Sequence, residues 1–361
     1  MKWLDYFVSA LLSTVMIFTP KSKSSGNTGT TTNATTAYVD PIQRQSTGEE
    51  VYFFAHGDWG KGGYDGSYSD HRRLPANNMA QNHENHEGGE GEGEGEHEHE
   101  EREEEALMQG KVADAMNYVA NYTKPEFVLA LGDNFYTDGV SSTNDSMWNS
   151  HFRDVYFGHF DTLKGVPWHA AIGNHDLGYG EQGVQAQINR TYTDTADDDG
   201  VWQMPGQFYT VKYNITGGGY VQVVVVDTTW LSPSENGATN TEGGISTDTQ
   251  AARIYAQLSV LYEIFQDTLT RPRPTWLLVA GHYPVYSQGE KGDNDELISY
   301  LLPFMQHYGV HAYLCGHDHI NEHLQVSLTL NFSILVVSYF MWSNALGSSS
   351  VLQLYSIKSL A

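Results

Sequence analysis

The chain has 361 residues, 40% of them hydrophobic, and a formal net charge of -25 from 44 acidic and 19 basic side chains. That length holds one large α/β domain or two small ones, with apolar residues enough for a sizeable core. The acidic balance without a basic patch excludes recognition of a nucleic-acid backbone, and the single cysteine, Cys315, excludes an intrachain disulfide.

At the N-terminus Lys2 precedes an apolar run from Phe7 to Phe18 and then Pro20. Residues 1–20 read as a signal peptide or an N-terminal anchor, although Asp5 and the lack of a small-x-small cleavage motif depart from the pattern. Residues 21–50 are rich in Ser, Thr, Asn and Gly and read as a disordered linker. Six Asn-x-Ser/Thr sequons, at Asn33, Asn121, Asn144, Asn189, Asn214 and Asn331, join the leader in pointing to a secreted or endomembrane/lysosomal glycoprotein.

The first strand is expected at Val51, in VYFFAHGDWG. An insertion over 62–105 follows. Its second half, Glu84 to Glu105, holds twelve Glu against one Arg, so eleven of the negative charges sit in one segment. Such a segment cannot bury apolar surface and is expected to be disordered. His83, His86, His97 and His99 lie among its carboxylates. The plain reading is a solvated insertion; the sharper one is a metal-scavenging loop.

Leu107, Val112, Ala115, Met116 and Val119 recur at helical spacing, and PEFVLALGDN follows as a strand. Further strands fit PWHAAIGNHD, YVQVVVVDTT, TWLLVAGHYP and VHAYLCGHDH, while Ile254, Leu258, Leu261 and Phe265 place a helix over 250–269. Strands alternating with helices predict a layered α/β domain. Residues 326–361 are left open between replacement core strands, a membrane anchor and an unpacked tail. Val326 to Trp342 is apolar, yet Asn331 interrupts it and it is short for a span.

Five strands end alike: Gly57-Asp58, Gly132-Asp133-Asn134, Gly173-Asn174-His175-Asp176, Gly281-His282 and Gly316-His317-Asp318-His319. One such pair is an ordinary turn. Five, all with metal-capable side chains at the carboxyl ends of strands, point to a shared centre. Asp58, Asp133, Asn174, His282, His317 and His319 supply six donors, and Tyr136 a seventh. One ion rarely takes seven mixed ligands; two ions sharing a bridging carboxylate would use them all. The absence of cysteine from the set argues against a structural zinc site. In an extended Gly-His-Asp-His segment, His317 and His319 would share a side.

This ordered set resembles the calcineurin-like metallophosphoesterases, and AHGDWG, LGDNFYTDGV, IGNHD, VAGHYP and AYLCGHDH resemble the small, tartrate-resistant purple acid phosphatases. The resemblance covers about 51–325. It implies a monomeric catalytic domain, a four-layer α/β/β/α sandwich with the metal site at the carboxyl ends of the strands. It implies Fe(III) on Asp58, Tyr136 and His319, a divalent iron, zinc or manganese on Asn174, His282 and His317, and Asp133 bridging them. A phenolate is a hard anionic donor and suits the ferric ion. The implied reaction is hydrolysis of a phosphate monoester, small-molecule or phosphoprotein, by a metal-activated hydroxide. His175 is the implied catalytic residue, and it also binds the ester. Asp176 is expected to orient His175 or to cap a loop. Lys291 stands nine residues after His282, where the smaller members carry a His; it is expected to hold substrate phosphate as a point charge. After Gln325 the resemblance ends.

Two other readings stay open. One is a related metallophosphoesterase acting on phosphodiesters or nucleotides with two divalent ions, against which Tyr136 argues. The other is a non-catalytic metal- or phosphate-binding protein, which the His/Glu-rich insertion would suit. No nucleic-acid partner is expected, and membrane contact only through a terminal anchor. His169, His311, His323 and Cys315 read as structural.

Overall fold

The computed structural model describes residues 42–48, 50–60, 109–158, 161–193, 200–235, 247–270, 272–327, 332–337 and 353–358. The expected leader, the insertion over 62–105, and Asn33 and Asn331 lie outside the described residues.

Among these, twelve strands form two sheets: β1 Ile42–Gln45, β2 Glu50–His56, β3 Phe127–Leu131, β4 Trp168–Ala171, β5 Trp202–Gln203, β6 Tyr209–Asn214, β7 Tyr220–Val225, β8 Trp276–Ala280, β9 Ala312–Cys315, β10 Asn321–Ser327, β11 Phe332–Val337 and β12 Gln353–Lys358. One sheet has the order β1-β6-β7-β8-β9-β11-β10 and the other β12-β2-β3-β4-β5. Strands β2 to β5 run parallel, as do β7, β8, β9 and β11. The carboxyl ends of β2, β3 and β4 therefore leave one sheet side by side, and those of β8 and β9 leave the other.

The sheets pack face to face over a continuous apolar core. Phe53 stacks on Phe127 at 4.9 Å between ring centroids, and Phe127 on Tyr213 of the opposite sheet at 4.4 Å. These strands are near-continuous apolar runs because both faces are covered. Helix 109–123 adds Val112, Ala113, Met116 and Ala120 to this core. On the far side of the seven-stranded sheet, Leu258, Leu261 and Phe265 of helix Thr247–Asp267 join Leu297, Leu301 and Met305 against Val224, Val279 and Tyr313. The result is the expected four-layer α/β/β/α sandwich.

One expected boundary is corrected, and the segment left open after residue 325 contributes core strands. Within the segment read as linker, Ile42–Gln45 is a strand: half-buried Ile42 and Arg44 alternate with exposed Gln43 and Gln45, and the stretch pairs parallel with β6. Four residues of mixed polarity give too little periodicity to be seen alone. At the other end the sheets continue past residue 325. β10 and β11 form an antiparallel pair, β11 lies parallel to β9, and β12 pairs antiparallel with β2, Lys358 opposite Glu50. Among the described residues no helix is long and apolar enough to cross a membrane.

Candidate metal centre and active site

Each candidate residue follows the carboxyl end of a strand: Asp58 after β2, Asp133 and Tyr136 after β3, Asn174 and His175 after β4, His282 after β8, His317 and His319 after β9. The chain turns abruptly there. Asp58, Asp133, His317 and His319 have φ of +56°, +50°, +75° and +50°, a region that L-residues with side chains seldom occupy. Left-handed backbone at four site residues is local strain held by its surroundings. The holding contacts are visible. The His317 amide donates to Asp58 Oδ2 at 2.9 Å, and the His175 amide to Asp133 Oδ1 at 2.9 Å. Gly173 permits the close approach of two strand ends: a Cβ there would lie 2.2 Å from the Asp133 nitrogen and Oδ1. The extended geometry expected for Gly316 to His319 is replaced by these two left-handed residues, and the two imidazoles serve different groups.

Two clusters of donor atoms result. Asp133, His282 and His317 form one and Asp58, Asp133 and His319 the other, with the donor atoms of each within 4.8 Å of one another. Asp133 belongs to both. Tyr136 Oη joins the second, 2.8 Å from Asp133 Oδ2 and 3.2 Å from both Asp58 Oδ1 and His319 Nε2. Asn174 Oδ1 joins the first, 3.1 Å from His282 Nε2. All seven residues named from the sequence thus converge.

The chemistry of this donor set fits cations. His282 Nδ1 donates to the Leu131 carbonyl at 2.9 Å. Its Nε2 then faces two oxygens, Asn174 Oδ1 and, at 3.3 Å, Asp133 Oδ1. Burial opposes charge on that ring, but Asp133, Asp58 and the Leu131 carbonyl outweigh it and raise the imidazole to about 9. His317 goes the other way. Burial, then the charge on His282, hold it at about 3, and its buried Nε2 has no hydrogen-bond partner. Burial and the carboxylates of Asp58 and Asp133 push the Tyr136 phenol far above its ordinary range. A buried imidazole nitrogen that makes no hydrogen bond and has the Glu235 carboxylate 3.9 Å away, two facing carboxylates and a phenol aimed at both are what a pair of cations would satisfy.

His175 lies beside this cluster. Its Nδ1 is 2.7 Å from the Thr137 carbonyl, and its ring sits 4.4 Å from that of Tyr136. The carbonyl can only accept, so Nδ1 carries the proton and Nε2 points away from it. Asp176 does not orient His175. Fully buried, it accepts from the amides of Gly173 and Asn134 at 2.9 and 3.1 Å, and from Gln187 Nε2 at 3.0 Å. It ties the β4 turn to the β3 turn. Burial, then Asp133, raise its carboxyl to about 7. Lys291 is exposed, and its charge is felt at His317. His169 and Cys315 are buried in the sheets, and burial holds the Cys315 thiol well above its usual range.

Sequence reasoning missed two supports. Thr228 Oγ1 accepts from the amides of His282 and Tyr283 at 3.3 and 3.0 Å. Asp227 caps that turn through the Thr229 amide at 2.9 Å, while Gln257 brackets its backbone, accepting from its N–H at 2.9 Å and donating to its carbonyl at 2.8 Å. The signal was present, since β7 also runs into a polar pair, Asp227-Thr228, though without the glycine. Asp318, between two site histidines, turns away from them to Ser287 Oγ and to the Lys291 amide, the latter at 3.0 Å.

Two sheets whose carboxyl ends enclose two donor clusters around one shared carboxylate define a metallophosphoesterase site. A family model described as calcineurin-like phosphoesterase matches residues 82–321, and the chain belongs to that family. The match begins after Asp58. Within the family it is similar to tartrate-resistant acid phosphatase type 5 of Homo sapiens, 37% identical over 202 residues, 55% of this chain and 57% of that protein. Purple acid phosphatase 7 of Arabidopsis thaliana is 25% identical over 221 residues, 60% of this chain and 61% of that one. The match thus spans less than two thirds of these curated relatives. A solved structure described as GAP50, the anchor in the inner membrane complex of Plasmodium, shares the fold. Its TM-score is 0.54 at 18% identity, covering 86% of this chain and 81% of that one.

Proposed function

We propose that the protein is an acid phosphatase of the purple type, hydrolysing phosphate monoesters at a binuclear centre of Fe(III) and a divalent iron, zinc or manganese. The observation that carries the reading is the shared carboxylate: Asp133 belongs to both donor clusters, with Tyr136 on one side and Asn174 on the other. Asp58, Tyr136 and His319 would hold the ferric ion, Asn174, His282 and His317 the divalent one, and Asp133 would bridge them. Such a pair, when bound, acidifies water and neutralises phosphoryl oxygens. The Tyr136 oxygen, already packed against two carboxylates, is the hard donor that favours a trivalent ion. His175, with Nδ1–H fixed on Thr137, keeps Nε2 to hold the proton that the leaving oxygen takes.

The location that goes with this reading is the secretory route. The side chains of Asn121, Asn144, Asn189 and Asn214 are all exposed, as carriers of glycans must be.

Two measurements test the assignment. Purified protein is expected to hydrolyse p-nitrophenyl phosphate and to contain iron; Asp133→Asn is expected to lose both the activity and bound metal. Loss of neither would remove the binuclear reading. A tyrosinate-to-iron band is expected in the visible spectrum and should vanish in Tyr136→Phe. A band that survives would mean that another group colours the protein, and protein with two divalent ions would show no band at all.

A further inference from the structure

The two imidazoles in the cluster of Asp133, His282 and His317 are held in different ways. His282 is fixed by a hydrogen bond, its Nδ1 donating to the Leu131 carbonyl at 2.9 Å. A metal-ligating histidine is usually oriented like this. No hydrogen bond holds the His317 ring among the described residues; its backbone amide makes one, to Asp58 Oδ2, and its buried Nε2 makes none. The rotation of an imidazole about its last bond is soft and has no sharp staggered wells. Packing must therefore set the plane of that ring.

Tyr283 supplies the packing. Its ring centroid is 4.4 Å from that of His317, with 60° between the planes. The same ring is 5.4 Å from that of His282, and the two imidazoles are 5.0 Å apart. These three rings form one group. Tyr136, His175 and His319 form another around the second donor cluster. Tyr283 is fully buried, so it does not touch substrate. Its backbone is held on both sides: the amide donates to Thr228 Oγ1 at 3.0 Å, and the carbonyl accepts from Tyr313 Oη at 2.5 Å. Tyr313 lies in β9, the strand that runs on into His317. The brace is thus closed. β9 fixes the backbone of Tyr283, and the ring of Tyr283 packs on the imidazole to which β9 leads.

We propose that Tyr283 is a positioning residue for the divalent ion: the packing of its ring, in place of a hydrogen bond, orients His317 toward that ion and leaves the ferric ligands alone. This rests on the binuclear reading.

The test reads the two metals separately. Iron-containing protein is freed of its divalent ion by dialysis against a chelator and titrated with zinc in a calorimeter. The tyrosinate-to-iron band reports the ferric side throughout. Tyr283→Leu removes the aromatic ring and is expected to weaken zinc binding about tenfold, the lower end of what loss of an orienting partner costs, with the band and the iron content unchanged. Tyr283→Phe keeps the ring and should bind zinc as the wild type does. Tyr308→Leu makes the same change in the same apolar cluster, against Phe265, and should also bind as the wild type does. Unchanged zinc affinity in Tyr283→Leu would overturn the proposal. So would an equal loss in Tyr283→Phe, which would give the role to the hydroxyl, or in Tyr308→Leu, which would show general softening of the core. Should Tyr283→Leu not fold, Tyr313→Phe takes its place: it frees only the Tyr283 carbonyl and is expected to lose part of the zinc affinity, and no loss would count against the brace. Wild-type protein that takes up no second ion would remove the binuclear reading, and the proposal with it.

Discussion

His175 and Asp133 touch through a backbone amide, yet their roles separate. Asp133 belongs to both donor clusters, whereas the His175 ring stands outside them, tilted against that of Tyr136. The two functions are therefore expected to part on mutation. His175→Ala should lower kcat by about a hundredfold, the low end of what a positioned proton donor contributes, while metal content stays that of the wild type. Loss of metal in that variant would assign His175 to the centre instead. Five of the convergent residues, Asp58, Asp133, Asn174, His282 and His317, were legible because each follows a Gly at a strand end, whereas Tyr136 stood out only through the family resemblance. Asp176 and Asp318 stood in the same motifs, but the sequence does not say which way a side chain turns. Asp176 turns inward to Asn134 and Gln187, and Asp318 outward to the loop that carries Lys291.

The strand ends are held by neighbouring elements as well as by their own turns. Thr228, at the start of the short helix Thr228–Leu231, accepts two buried amides from the β8 turn. Thr228→Val keeps the shape and removes the acceptor, leaving both N–H groups unpaired. A loss of about 1–3 kcal/mol in unfolding free energy is expected, with divalent-metal affinity reduced roughly tenfold, as when a partner that orients a ligand is removed. Thr228→Ser should restore both. Calorimetric titration of zinc into metal-free protein reads the second effect, and an unchanged affinity in the valine variant would sink it. Long apolar runs such as β3 and β8 were plain in the sequence. β5, two residues long, and β1, of mixed polarity, were not, because their conformation is imposed by the strand beside them.

The core between the sheets is not wholly apolar, and this sets how the folded protein meets acid. His169 is buried there, its Nε2 2.8 Å from Tyr213 Oη. Burial, and the Arg44 charge, lower it from 6.5 to about 3. Below pH 6.5 the unfolded chain binds a proton that the folded one refuses, so stability is lost as pH falls from about 6.5 toward about 3. His169→Phe removes that uptake. Urea unfolding at pH 7, 5.5 and 4.5 should give a shallower decline in the variant than in the wild type, and parallel curves would contradict this. The four-layer architecture was legible from the alternation of elements and from the family resemblance. The pairing of β12 with β2 was not: no local pattern tells residue 358 to lie beside residue 50.

The hydrogen bond from His317 to Asp58 spans 259 positions of the chain. During synthesis the carboxylate leaves the ribosome long before the histidine exists, and the strand that flanks β2 emerges later still. No nascent fragment that stops short of His317 can enclose either pocket. Contacts this distant in sequence also close slowly. The two donor clusters therefore cannot close before His317 and His319 have been made, so metal capture by this site waits on a contact between the two ends of the β2-to-β9 stretch.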